Sequence, residues 1–181
     1  HYRSHSFPTR RSSDLFIVEK NWDGVVIGKK EDKLGIRGSD THSVMFNDVR
    51  VPKENRIGND GFGFKFAMQT LAGGRIGIAA QALGIAAGAY ELALNYSKER
   101  KSFGKPICQH QAIAFKLADM ATTIDAARLL CFKAGWEKDQ GLDYRLSGAM
   151  AKLFCAEHAM KITTDAVQIH GGYGFVKEYH V

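Results

Sequence analysis

At 181 residues, 45% of them hydrophobic, the chain is long enough for one core of ordinary domain size or for parts of two. Its formal charge of +6 is spread out, with no Lys/Arg block long enough to serve as a binding arm, so a polyphosphate ligand suits it better than nucleic acid. Cys108, Cys131 and Cys155 are odd in number and far apart, which points to three reduced thiols and away from a disulfide framework or a metal site.

Residues 1–15, HYRSHSFPTRRSSDL, follow neither the strand nor the helix period, and their composition breaks sharply at Phe16. The stretch HSFPTRRSSDL looks like one reading frame of a common DNA sequencing adapter, so it is read as a non-native segment; a disordered basic tail is the alternative. It contributes a net +2 and leaves +4 to the remainder. From residue 16 to 58 the signals are those of the C-terminal part of a β-domain. FIVEK, GVVIGKK, LGIRG and HSVMFNDVRV are short, β-branched segments parted by turn residues, and four such strands cannot close a core alone.

The period changes after Pro52. Residues 59–181 are predicted as an incomplete helical bundle. A first helix starts after Asn59-Asp60-Gly61, with Gly73-Gly74 expected to weaken or kink it. Gly84 and Gly88, four apart, predict a close helix contact. No apolar run approaches a membrane span: the smoothest, Ile76 to Tyr90, is rich in Ala and Gly and carries Gln81. Nor does the start carry the apolar core of a secretory signal. A second helix is predicted from Gln109 to Asp139, apolar at Ile113, Leu117, Met120, Ile124, Ala127, Leu130 and Ala134. A third runs from Tyr144 to Ile169 and stops at Gly171-Gly172. The fold class is therefore mainly α: three of four long antiparallel helices, preceded by the end of a small β-domain.

Three stretches can carry chemistry. In ERKSFGKPICQHQ, Arg100 and Lys101 close one helix just before the next begins, an arrangement suited to clamping phosphate; a basic C-cap is the plainer reading. In LAGGRIG, a glycine pair beside Arg75 lets a ligand approach the backbone while the Arg holds an anion; a helix kink with an exposed Arg explains the same residues. In QIHGGYGF, Gly171 and Gly172 admit a flat ring or a phosphate, with Gln168 and His170 as polar contacts; a simple C-cap is the alternative. Glu157 and His158 read as surface residues. No Ser-His-Asp order, HExxH, CxxC or Walker loop occurs.

Taken together and in this order, these stretches carry a resemblance. KKEDKLGIRGSDT, VPKENRIG, GGRIGIAAQALG, ERKSFGKPI, HQAIAFKLADMAT and AVQIHGGYGF resemble the acyl-CoA dehydrogenase family, closest to its short-chain, butyryl-type branch. The resemblance implies a C-terminal fragment of a three-domain FAD enzyme, usually a homotetramer. Such an enzyme oxidises an acyl-CoA to the trans-2-enoyl-CoA and passes electrons to electron-transfer flavoprotein. It also implies a cytoplasmic location in a bacterium, or the mitochondrial matrix in a eukaryote, with no nucleic-acid or membrane partner. Carried over by position, Arg100 meets the FAD pyrophosphate across a subunit interface and Phe103 lies near the flavin. His110, Gln111, Gln168, Ile169, His170, Gly171 and Gly172 are further FAD contacts. Arg75, with Gly74 beside it, faces the CoA part of the substrate.

Two departures matter. Ala72 stands where relatives often have an acidic residue that helps hold CoA. The family's catalytic Glu lies in a Glu-Gly-Thr type motif, expected beyond Val181, and the position of the alternative helical Glu is Gly74. No catalytic residue is therefore assigned within the chain, which is expected to be inactive alone. The rival readings are a superfamily relative working as an enoyl-CoA reductase, and a non-catalytic helical interaction or DNA-associated module.

Overall fold

The computed structural model describes residues 14–181. Most of the 1–15 segment thus lies outside the described residues; of its last two, Leu15 pairs with Ile57 and the Asp14 carboxylate accepts a hydrogen bond from the Gly61 amide at 2.6 Å. The chain divides into two compact units, residues 1–68 and 69–181.

The first unit holds two small antiparallel ladders. One pairs β1 (Leu15–Phe16) with β4 (Arg56–Ile57); the other pairs β2 (Val25–Lys30) with β3 (His42–Phe46). No described residue before Gly63 is buried, and Val26, Ile27, Val44, Met45 and Phe46 are all exposed. This is the physical content of the expectation that such strands close no core of their own.

Two details differ from the sequence reading. LGIRG forms a turn instead of a strand: Leu34 is fully exposed, Ile36 sits at φ +52°, and the Lys33 ammonium donates to the carbonyls of Ile36 and Ser39. These local bonds satisfy the backbone without a ladder. HSVMFNDVRV stops pairing at Phe46, because Asp48 turns the chain at φ +51°. The short β4 strand had no period to announce it.

Three long helices follow: α1 (Phe62–Glu99), α2 (Gln111–Asp139) and α3 (Arg145–His170). A hairpin of β5 (Lys101–Ser102) and β6 (Lys105–Pro106) links α1 to α2. Its two turn residues, Phe103 at φ +50° and Gly104 at φ +79°, have the left-handed geometry that matches the twist of paired strands. In the second unit the core is an alanine-rich seam. Ala72, Ala79, Ala86 and Ala93 recur every seven residues on α1 and are all buried. Ala86 and Ala93 pack with Leu117, Met120 and Ile124 of α2 and with Ile162, Ala166 and Ile169 of α3. A second cluster joins Ala79, Ala127, Cys131, Ala134, Ala151 and Cys155. The inward stripe of α2 is the predicted one, except that Cys131 is buried where Leu130 was expected and Ile113 is only partly covered. All three cysteines are free, and burial pushes the Cys131 and Cys155 thiols up, away from the reactive thiolate.

The weakening or kink expected at Gly73-Gly74 does not interrupt α1. The helix runs through Gly73-Gly74 unbroken for 38 residues. The flanking Ala72 and Arg75 are good helix formers, and a Cβ at Gly73 would meet only ordinary contacts, 3.7 Å from the Lys138 ammonium and 3.9 Å from the Tyr144 hydroxyl. Gly84 and Gly88 make no close helix contact among the described residues: a Cβ at either would meet nothing within 4 Å. The expectation about apolar runs also needs correction. By length and composition alone, α1 is long and apolar enough to cross a membrane. His158, read as a surface residue, is half-buried, with its ring stacked on Phe154 at 3.9 Å.

Candidate cofactor site

The connections of the second unit set up its main cavity. Arg100 is the first residue past α1; its amide still bonds the Tyr96 carbonyl at 2.8 Å, and its own carbonyl accepts from the Ile107 amide at 2.8 Å. That second bond closes the hairpin and brings the start of α2 beside the end of α1. At the end of α3, Gly171 takes φ +59° and ψ −129°, a conformation that side chains disfavour and glycine adopts freely. The chain then coils through a 3₁₀ turn, Gly171–Phe175.

The result is a cavity of about 570 Å³ lined by Tyr96, Arg100, His170, Gly171, Gly172 and Tyr173, among others. The Arg100 guanidinium makes no side-chain hydrogen bond or ion pair among the described residues. It lies 5.5 Å over the Tyr173 ring, which holds its charge at the cavity without neutralising it. This is not the geometry of a plain C-cap, in which the guanidinium would bond the last carbonyls of the helix. A Cβ at Gly171 or Gly172 would meet nothing within 4 Å, so both present open backbone to the cavity. His170 is buried, 5% exposed, and stacks on Tyr96 with ring centroids 4.3 Å apart. Tyr173 and Tyr179 meet Tyr96 edge-on at 6.5 and 5.8 Å. Desolvation by burial pushes the Tyr96 phenol up, and the positive charge of Arg100 works in the opposite direction.

Of the predicted cofactor residues, the structure gathers Arg100, Ile169, His170, Gly171 and Gly172 around this one cavity. Phe103 and His110 form a separate pair on the hairpin, edge-to-face at 6.2 Å, with His110 Nε2 3.2 Å from the Ser102 carbonyl. Phe103 is 97% exposed. Gln111, the first residue of α2, and Gln168, in the last turn of α3, are exposed and stand outside the lining. Gly74 and Arg75 line a different, smaller cavity of about 250 Å³ with Leu71, Ile78 and Lys152. No carboxylate lines it.

The sequence reading missed the aromatic walls Tyr96 and Tyr173, the neighbouring Tyr179 that meets Tyr96 edge-on, and Lys152. Tyr96 lies four residues before Arg100, one helical turn away, and that spacing could have flagged it. Tyr179 reaches the cluster through irregular chain, and no periodic pattern announces it.

A free guanidinium beside side-chain-free backbone, a buried imidazole and flat aromatic walls suit a ligand that carries both an anion and a ring. Fold and site together define a helical-bundle protein with a cavity where α1 and α3 end. Residues 61–181 match the family described as "Acyl-CoA dehydrogenase, C-terminal domain", and the chain belongs to the acyl-CoA dehydrogenase family. It is 54% identical over 166 residues to the short-chain specific acyl-CoA dehydrogenase of Megasphaera elsdenii, covering 92% of this chain and 43% of that protein. It is 47% identical over 171 residues to the caffeyl-CoA reductase-Etf complex subunit CarC of Acetobacterium woodii, covering 94% and 45%. The structure of butyryl-CoA dehydrogenase from Megasphaera elsdenii superposes with a TM-score of 0.90 at 52% identity, over 94% of this chain and 44% of that one. The chain thus spans less than half the length of the curated relatives it matches.

Proposed function

We propose that these residues are the cofactor- and CoA-binding part of an FAD-dependent acyl-CoA dehydrogenase. It would oxidise a short-chain acyl-CoA to the trans-2-enoyl-CoA, with electrons leaving to an electron-transfer flavoprotein and the working unit a homotetramer. The observation that carries the reading is the meeting of Arg100, His170, Gly171 and Gly172 in one cavity.

The residues present fit such a cofactor. Arg100 offers an unpaired forked donor to a pyrophosphate. Gly171 and Gly172 let a ring or phosphate lie against the backbone. Phe103, exposed at the hairpin tip, is suited to pack on a flat ring contributed across a subunit boundary. The chemistry supplied by the flavin, when bound, is acceptance of the two electrons that leave the substrate. Arg75 and Lys152 are exposed cations flanking an apolar groove, which suits a chain carrying phosphates. A thioester α-proton needs a positioned carboxylate, worth roughly 10²–10⁴-fold in rate. No carboxylate lines the Arg75 cavity, and the Glu178 carboxylate lines the Arg100 cavity instead, so no base is placed at the CoA groove among the described residues.

The test is FAD binding by flavin fluorescence. An Arg100→Ala variant is expected to lose about tenfold or more in affinity, as for one lost charge-assisted contact. Equal binding by variant and wild type would sink the assignment of Arg100.

A second reading rests on the similarity to a protein named as a reductase subunit. The same fold could run the reaction as an enoyl-CoA reduction. Assays of the full-length enzyme in both directions separate the two.

A further inference from the structure

Cys131 of α2 and Cys155 of α3 are buried in one cluster, and neither lines the Arg100 or the Arg75 cavity. The two helices run antiparallel. Lys116 near the start of α2 meets Asp165 near the end of α3 at 2.6 Å, and Ser147 at the start of α3 donates to Glu137 at the end of α2. Between these points the Cys155 thiol donates to the Ala127 carbonyl at 3.7 Å. In an α-helix that carbonyl points along the axis at the amide four residues on, which is Cys131. Cys155 therefore faces the turn of α2 that carries Cys131. Side chains tilt toward the N-terminus of their own helix. In an antiparallel pair those tilts oppose each other, so the Cys131 and Cys155 side chains lean together. Ala127, Ala134 and Ala151 around them are small and buried, which lets the two helix axes approach. The thiols also sense each other electrostatically: burial pushes Cys155 up first, and the charge of Cys131 adds to it.

We propose that Cys131 and Cys155 are a dormant redox pair, which a small-molecule disulfide such as oxidised glutathione converts to an inter-helix disulfide that pins α2 to α3. In the closed fold the pair is inert. Both thiols are held protonated by burial, and Ile76, Ala79 and Leu83 of α1 pack on the same cluster. Reaction therefore requires a local opening that lifts α1 from the α2–α3 hairpin. Once open, Cys131, the more exposed of the two, loses its proton and attacks one sulfur of the glutathione disulfide. That S–S bond breaks and one glutathione leaves as a thiolate. The Cys155 thiolate then attacks the Cys131 sulfur, the mixed disulfide breaks, and the second glutathione leaves. The cysteines give up two electrons, the glutathione disulfide gains them, and the two thiol protons end on the two glutathiones. The staple thus records an opening of α1 and then holds the hairpin together. Cys108 packs against the other cluster and serves as an internal control.

The experiment incubates the 181-residue chain with oxidised glutathione, blocks the remaining free thiols and maps disulfides by mass spectrometry. The expected product yields a peptide linking Cys131 to Cys155, carries no glutathione on either, and leaves Cys108 outside the link. Its urea midpoint should lie above that of the reduced chain, because a cross-link that fits the native helices constrains the unfolded state. Dithiothreitol should return the midpoint to the reduced value. Cys131→Ala and Cys155→Ala should each abolish the link, and the peptide map of the unmodified sequence decides the matter even where a variant does not fold. A link through Cys108, a product that keeps glutathione on both cysteines, or no oxidation of the pair overturns the proposal. So does a Cys131–Cys155 disulfide that lowers the urea midpoint, since that bond would form only away from the native helix pairing.

Discussion

Phe103 is the residue whose identity the fold explains least. It sits at φ +50°, where a side chain costs about 1 kcal/mol or more relative to glycine or asparagine. It is also 97% exposed, so burial returns nothing. The proposed flavin contact would account for both the backbone strain and the exposure of Phe103. Phe103→Asn should therefore raise stability by about 1 kcal/mol, read from urea unfolding, while weakening flavin binding. A variant that is both less stable and equally able to bind flavin would contradict this account.

Asp165 behaves differently. Burial pushes its carboxyl up, but hydrogen bonds and charge from Lys116 at 2.6 Å and Lys161 at 3.4 Å more than offset this, and the net shift is downward. A carboxyl lowered on folding stabilises the protein above its unfolded value, near pH 4, and that contribution is lost as pH falls through the folded value. The Lys116 partner is over a third exposed, so screening limits the pair to about 1 kcal/mol. Asp165→Asn should cost about that much at pH 7, and the gap to wild type should close in unfolding curves taken from pH 4 downward.

At the scale of elements, the three long helices were legible because their apolar residues recur in steps of three and four, and tertiary packing uses that face. Leu117, Met120, Ile124, Ala127 and Ala134 were all placed inside correctly. The glycines of α1 were misread because glycine has several causes that sequence does not separate. Gly84 and Gly88 suggested a contact, yet their Cα atoms face open space. Each glycine then only weakens the helix. Gly84→Ala and Gly88→Ala should each raise stability by about 0.5–1 kcal/mol, seen as a higher urea midpoint with an unchanged slope. The β-segments were less legible. LGIRG has strand composition, but Lys33 satisfies the Ile36 carbonyl locally and Ile36 turns left-handed. In the candidate site, motif order pointed to Arg100 and His170-Gly171-Gly172, which the structure gathers. Tyr179 arrives through irregular backbone, and only the folded chain could reveal it.

At the scale of the whole molecule, the decisive expectation concerns turnover. The Arg75 cavity has a cation on each side and no carboxylate in its lining. The 181-residue chain should thus show no measurable oxidation of butyryl-CoA with an artificial electron acceptor. Turnover above background would mean that a base operates from within these residues and would overturn the proposed division of labour.

The uninterrupted course of α1 has one more consequence. Arg75 and Arg100 lie 25 residues apart on, or one residue beyond, the same helix, a span of about 37 Å at 1.5 Å per residue. That exceeds the diameter of a small domain, and the helix acts as a rigid strut between its two arginines. If both cavities serve one reaction, the ligands they hold must extend toward each other along that length, so the helix sets how long those ligands have to be.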